Sequence, residues 1–127
     1  MEFLNYFSNV FTFANILILI LGTIGGLLLG AAPGLSPTMA VALLIPFTFH
    51  MTPEQGLIML GAVYTSTVAG GAISAILLKI PGAPANIATV MDGYPMAKNG
   101  KSTEALHYCF ISSFIGGVIG ILVLIFF

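Results

Sequence analysis

Four apolar stretches, separated by short segments that concentrate proline, glycine and nearly all the charge, set the plan of this 127-residue chain. Ala14 to Ala32 is a mainly apolar run of 19 residues, the length a helix needs to cross the hydrocarbon core of a bilayer. Thr38 to Phe49 is apolar again but has only 12 residues. That is short for a full span and suits a half-helix or a re-entrant segment, and the pattern leaves spanning and re-entry both open. A third helix is predicted from Gln55 to Lys79, weakened between Thr65 and Gly71, where hydroxyl residues and two adjacent glycines cluster. A polar loop follows over residues 80–101, and a last apolar helix runs over 102–127. Within the loop, Asn86 to Met91 reads as a short helix and Asp92-Gly93-Tyr94-Pro95 as a turn. Residues 1–13, aromatic at Phe3, Tyr6, Phe7, Phe11 and Phe13, read as a helix lying at the membrane interface.

Start and stop signals sharpen these boundaries. Ser36 is a candidate N-cap with Pro37 at the first helical position, and Thr52, Pro53 and Glu54 repeat that signature with an acid in the first turn. Glu54 is therefore read as a capping residue rather than a catalytic one. Ser102 is expected to cap the last helix, with Glu104 in its first turn. Gly22, Gly26 and Gly30 recur every four residues, so they line one helix face and let a neighbouring helix approach closely. Gly116, Gly117 and Gly120 give the last helix a similar face.

Composition makes lipid the solvent. The chain is 58% hydrophobic and only 6% charged, against about 25% charged residues in a soluble domain. The fold class is thus an all-α integral membrane protein of about four apolar helical segments, some broken or re-entrant. Net charge is −1, with three lysines and no arginine, which excludes a nucleic-acid footprint. The lysines, Lys79, Lys98 and Lys101, cluster at residues 79–101, and the positive-inside rule puts that loop on the cytoplasmic side. The start of the chain lacks the positive region of a signal peptide. Its end, IGILVLIFF, breaks off in apolar sequence, and the chain is expected to be the N-terminal part of a longer permease.

The candidate chemistry lies where helices break. One break is APGLSPT over residues 32–38; the other joins TSTVAGGAIS over 65–74 to KIPGAP over 79–84. Broken helices present free N–H groups, which favour anions, and free C=O groups, which favour Na⁺ or a protonated group. The candidate substrate and ion residues are Pro33, Gly34, Ser36, Thr38, Thr65, Ser66, Thr67, Gly70, Gly71, Ser74, Lys79, Pro81 and Gly82. Lys79 has two readings: snorkelling to the interface as a topology marker, or facing a cavity as the partner of an anion. Asp92, Gly93 and Tyr94 form a loop motif, with Asp92 a turn former and Tyr94 an interfacial anchor. Cys109 reads as a small buried hydrophobe. His50 and His107 are far apart in sequence, and no metal-ligand or nucleophile–base spacing is present, so neither an enzyme nor a cofactor is expected. A metal would enter only as Na⁺ on backbone carbonyls.

Two blocks of this sequence resemble a known family. GLLLGAAPGLSPTMAVALLIPFTF at 26–49 is similar to a Gly-x-x-x-Gly…Pro-Gly-Leu-x-Pro…Ala-Leu-Leu-x-Pro-x-Thr-Phe pattern. LGAVYTSTVAGGAISAILLKIPGAPANIATVMDGYPMAKNGKSTEAL at 60–106 is similar to a block with Tyr, a Gly-Gly-Ser/Thr turn, Ile-Leu-Leu-x-x-Pro-Gly, Thr-x-x-Asp-Gly-Tyr-x-Met-Ala and a closing Ala-Leu. Both patterns are those of the large membrane subunit of tripartite tricarboxylate transporters, the TctA family, which this sequence resembles. The chain departs from the pattern with Ala69-Gly-Gly-Ala72 in place of Tyr-Gly-Gly-Ser, Lys79 in place of Asn, and Ala83 in place of Glu.

The resemblance implies a multi-pass permease of the bacterial inner membrane, built of two inverted halves. It implies uptake of citrate-like or other carboxylates driven by a Na⁺ or H⁺ gradient. It also implies two partners, a small membrane subunit and a periplasmic solute-binding protein. A site between broken helices would bring the PGLSP loop and Gly70-Gly71 close together near mid-membrane. The alternative is a complete small membrane protein that packs, scaffolds or permeabilises.

Overall fold

The computed structural model describes residues 2–127, and regular structure throughout them is helical. Six helices follow in order: α1 (Glu2–Val10), α2 (Phe13–Ala31), α3 (Pro37–Thr48), α4 (Pro53–Leu78), α5 (Asn86–Lys98) and α6 (Ser102–Phe126). By length and apolar composition, α2, α4 and α6 can each cross a membrane, while α3 is too short. The chain is an all-α membrane protein. Its outer surface carries large apolar side chains such as Leu28, Phe47, Leu57 and Phe114, as lipid and neighbouring protein require. Of the first 13 residues, Met1 lies outside the described residues. α1 follows it, with the rings of Phe7 and Phe11 5.0 Å apart.

The fold is organised on α4, which packs against α2 over most of its length. Gly22 faces Ala62, Gly26 faces Val63 and Ser66, Gly30 faces Thr67, and Gly70 faces Leu27 and Ala31. Positions therefore rise together along both helices, so α2 and α4 run in the same direction. The approach is backbone to backbone. A β-carbon added to Gly70 would stand 2.5 Å from the Leu27 carbonyl oxygen, and one added to Gly30 would collide with the Thr67 carbonyl. The four-residue glycine repeat thus does what its spacing predicts.

α3 returns between them. Ala32-Pro33-Gly34-Leu35 ends α2, with Gly34 at φ +88°, a region open to glycine at little cost. Ser36 then caps α3, its Oγ accepting from the Met39 N–H at 3.3 Å. Thr52 and Gln55 form a reciprocal capping box at the start of α4.

Four expectations need correction. α4 is continuous through Thr65–Gly71 and breaks only at Lys79. The two glycines lie in its buried face, where close packing offsets their poor helix propensity. The segment read as a polar loop is mostly α5, and Asp92-Gly93-Tyr94-Pro95 is a stretch of helix rather than a turn. Gly93 sits against Ile76, where a β-carbon would stand 2.6 Å from Ile76 Cγ1, so tertiary packing holds the helix through a turn-like sequence. Ser102 is the first residue of α6, preceded by Lys101 with no side-chain cap bond.

After α4 the chain re-enters the helix bundle. After α4 ends, residues 79–85 fold back until Gly82 meets Gly71. α5 then starts beside Val68 and Gly71 and runs outward again to Ile76.

The glycine contact yields a direct test. Gly30→Ala in the full-length protein should destabilise it by about 1–3 kcal/mol, the cost of overpacking a tight contact, and lower its melting temperature in detergent. Gly25→Ala, where nothing lies within 4 Å, should leave the melting temperature unchanged or slightly raised.

Candidate functional site

Five pieces of chain meet at Gly82. A β-carbon placed there would stand 3.1 Å from the Leu35 carbonyl oxygen, 3.4 Å from Gly71 Cα and 3.9 Å from the Gly30 carbonyl oxygen. The end of α2, the PGLSP loop, α4, the re-entrant tip and the start of α5 thus form one junction. The two helix breaks singled out in the sequence are brought together. Gly71 is 18 residues along α4, about 27 Å from its start and about 10 Å from its end at 1.5 Å per residue. The junction therefore sits toward the C-terminal end of α4 rather than at its middle.

The predicted residues divide into those that build this junction and those that do not. Gly70, Gly71 and Ser74 are buried, Ser36 and Gly82 are half-buried, and Pro33, Gly34, Thr38 and Pro81 are exposed around them. Most of the hydroxyls are already occupied. Thr65 Oγ1 donates to the Gly61 carbonyl at 2.5 Å and Ser66 Oγ to the Ala62 carbonyl at 2.5 Å, both within α4, as helical Ser and Thr commonly do. Ser74, 1% exposed, lies 3.0 Å from the Gly71 carbonyl and 3.1 Å from the Ile80 carbonyl, so it ties the end of α4 to the chain that folds back. Thr67 is the exception. It is 1% exposed and its hydroxyl has no hydrogen-bond partner.

Lys79 lies outside the junction. It ends α4 in the left-handed conformation at φ 62°, and its N–H reaches the Ala75 carbonyl at 3.2 Å. Its side chain is exposed, and Nζ stands 5.6 Å from the centre of the Tyr94 ring, within cation–π reach. Tyr94 is half-buried and holds this lysine.

Asn86 belongs to the junction, whereas the sequence reading names it only as the start of a short helix and not as a site residue. It is 4% exposed, and its Nδ2 donates to the Val68 carbonyl at 3.1 Å. Because Ala85 supplies no side-chain cap, this bond is what pins the start of α5. An asparagine directly after Pro-Gly-Ala-Pro-Ala was the available signal.

A second feature lies between α4, α5 and α6, a cleft of about 460 Å³. α5 contributes Ala88, Thr89, Asp92, Gly93 and Met96, which is one helical face. α6 contributes Ala105, Tyr108, Cys109, Ser112 and Ser113, again one face. Ile76 of α4 completes the lining. Of the predicted residues only Asp92 and Gly93 belong to it. Cys109 is half-buried there beside Thr89 and Ser113, less enclosed than the core position expected. The periodic small and polar residues of both helices were legible in sequence once α5 is taken as a helix.

Removing the Asn86 tie should loosen α5 selectively. A typical net hydrogen bond is worth about 1 kcal/mol, so Asn86→Ala should speed amide hydrogen exchange across residues 86–98 about fivefold in the full-length protein, leaving exchange in α2 unchanged.

The model of the tripartite tricarboxylate transporter TctA family matches residues 16–127. An uncharacterised 52.8 kDa protein from the TAR-I ttuC' 3' region of Agrobacterium vitis is 37% identical over 118 residues, 93% of this chain and 24% of the relative. The chain thus spans about a quarter of that relative's length. No solved structure matches the chain significantly. With a family match running from the start of α2 through the junction and the cleft to the last residue, this chain belongs to the tripartite tricarboxylate transporter TctA family.

Proposed function

We propose that this chain forms part of the permease of an ion-driven, binding-protein-dependent uptake system for tricarboxylates or related carboxylates. It would work in the bacterial inner membrane as a multi-pass subunit, with a small membrane subunit and a periplasmic solute-binding protein as partners. The family assignment points to transport rather than catalysis. The observation that carries the reading further is the meeting of the PGLSP loop, Gly71 and the Gly82 tip.

The chemistry of that meeting suits an anion beside a cation. The N-terminus of α3, opened by Pro33 to Thr38, offers a positive helix end and backbone N–H groups to a carboxylate. The last turn of α2 ends in carbonyls that no helical N–H can reach, which suits Na⁺ or a protonated group. Glycines at 34, 71 and 82 allow backbone to approach a ligand without side chains intervening. Thr67 adds a buried hydroxyl with free bonding capacity nearby on α4. Lys79 acts at the rim, as a positive charge held over Tyr94 that draws carboxylates toward the site.

Uptake of radiolabelled citrate and related carboxylates tests this in cells expressing the full-length gene with its partner genes. Ser36→Ala should reduce uptake at least tenfold, while Ser36→Asn, which keeps a capping side chain, should retain more. Lys79→Ala should raise the half-saturating substrate concentration more than it lowers the maximal rate. Unchanged uptake in both alanine variants at normal membrane levels would move the carboxylate site away from this junction.

A further inference from the structure

The cleft between α4, α5 and α6 shares no lining residue with the junction, and unlike the junction it holds a carboxylate. Asp92 is its only charged lining residue, and none of Lys79, Lys98, Lys101, His50 or His107 reaches it. The same cleft is lined by the neutral hydroxyls of Thr89, Tyr108, Ser112 and Ser113. A carboxylate substrate entering here would meet a like charge with no counter-ion, which costs free energy at any dielectric. A small hard cation would meet one carboxylate and several hydroxyl oxygens, the ligand set such ions prefer. The volume of about 460 Å³ leaves room for part of a hydration shell, since one water occupies about 30 Å³.

We infer that this cleft binds a small inorganic cation of the Na⁺ class, with Asp92 as its charged ligand and hydroxyls of α5 and α6 as neutral ones. The cation would also bridge two helices. Asp92 is fixed to α5, which Gly93 seats on Ile76, whereas the serines are fixed to α6, whose second half is exposed along its whole length. Occupancy would therefore draw α6 toward α5 and stabilise the fold-back that carries Gly82. Its service as the driving-ion site rests on the transport reading above; the binding itself can be measured without transport.

Cys109 supplies a local reporter, because its thiol lies in the cleft beside Thr89 and Ser113. The rate of maleimide alkylation at Cys109 would be followed by mass spectrometry of its peptide, in membranes holding the full-length protein and no carboxylate. NaCl and N-methylglucamine chloride would be compared at equal ionic strength. Na⁺ should slow alkylation at least threefold in the wild type and in Asp92→Glu, and should have no effect in Asp92→Asn. Equal alkylation rates in the two salts for the wild type would overturn the proposal. So would Na⁺ protection that persists in Asp92→Asn. If Na⁺ protects Cys109 while citrate uptake proves absent, the cation site stands and the transport reading fails; the reverse result separates them the other way.

Discussion

Everything in this structure depends on how closely α2 and α4 approach. At Gly30 and Gly70 the two backbones touch without intervening side chains, and at Gly26 the α2 backbone meets the Ser66 hydroxyl and the Val63 backbone. In lipid, burying apolar surface between helices gains little, because lipid tails are as apolar as leucine. Close packing of backbone and polar contacts across the interface must supply the cohesion. The glycine repeat provides the first, and Ser66, within 3.5 Å of the Gly22 carbonyl, provides one of the second. A methyl group at the tightest of these positions would move the end of α2, and with it the loop that begins α3.

That loop illustrates how a membrane fold affords irregular backbone. Unpaired N–H and C=O groups are tolerated at membrane depth only where protein or a polar cavity surrounds them. Here the Leu35 carbonyl, after the break in α2, packs on Gly82 at the tip, and Gly82 packs on Gly71 of α4. Ser36 satisfies one exposed N–H of α3, Ser74 engages the chain leaving α4, and Asn86 fastens the returning helix. Each break thus has its own local hydrogen bond, and the breaks meet at Gly82.

The polar chemistry is split between two places. The junction is rich in backbone groups and poor in charge, while the cleft holds a carboxylate among hydroxyls. Lys79 belongs to neither and is held over an aromatic ring at the end of α4. α5 connects the two places, starting at the junction with Asn86 and lining the cleft with Asp92. A mechanical link through α5 follows from its attachments, since Asn86 anchors one end to α4 and Asp92 faces α6 from its middle.

The sequence alone determined what local chemistry can specify. Apolar length gave α2 and α6. Proline and hydroxyl caps gave the starts of α3 and α4, and the four-residue glycine spacing gave a close-packing face. The family was legible too, because its motifs are runs of adjacent residues. Tertiary structure decided the rest. Gly70-Gly71 weakens an isolated helix, yet α4 runs through it because α2 packs there. Asp92-Gly93-Tyr94-Pro95 has the composition of a turn, yet it is helical because Gly93 fits against Ile76. The same gap hid Asn86 and the cleft, whose members come from elements that only the returning chain brings together. Propensity acts between neighbours in sequence, whereas these outcomes were set by contacts between residues far apart, and such contacts outweigh a few tenths of a kcal/mol per residue of local preference.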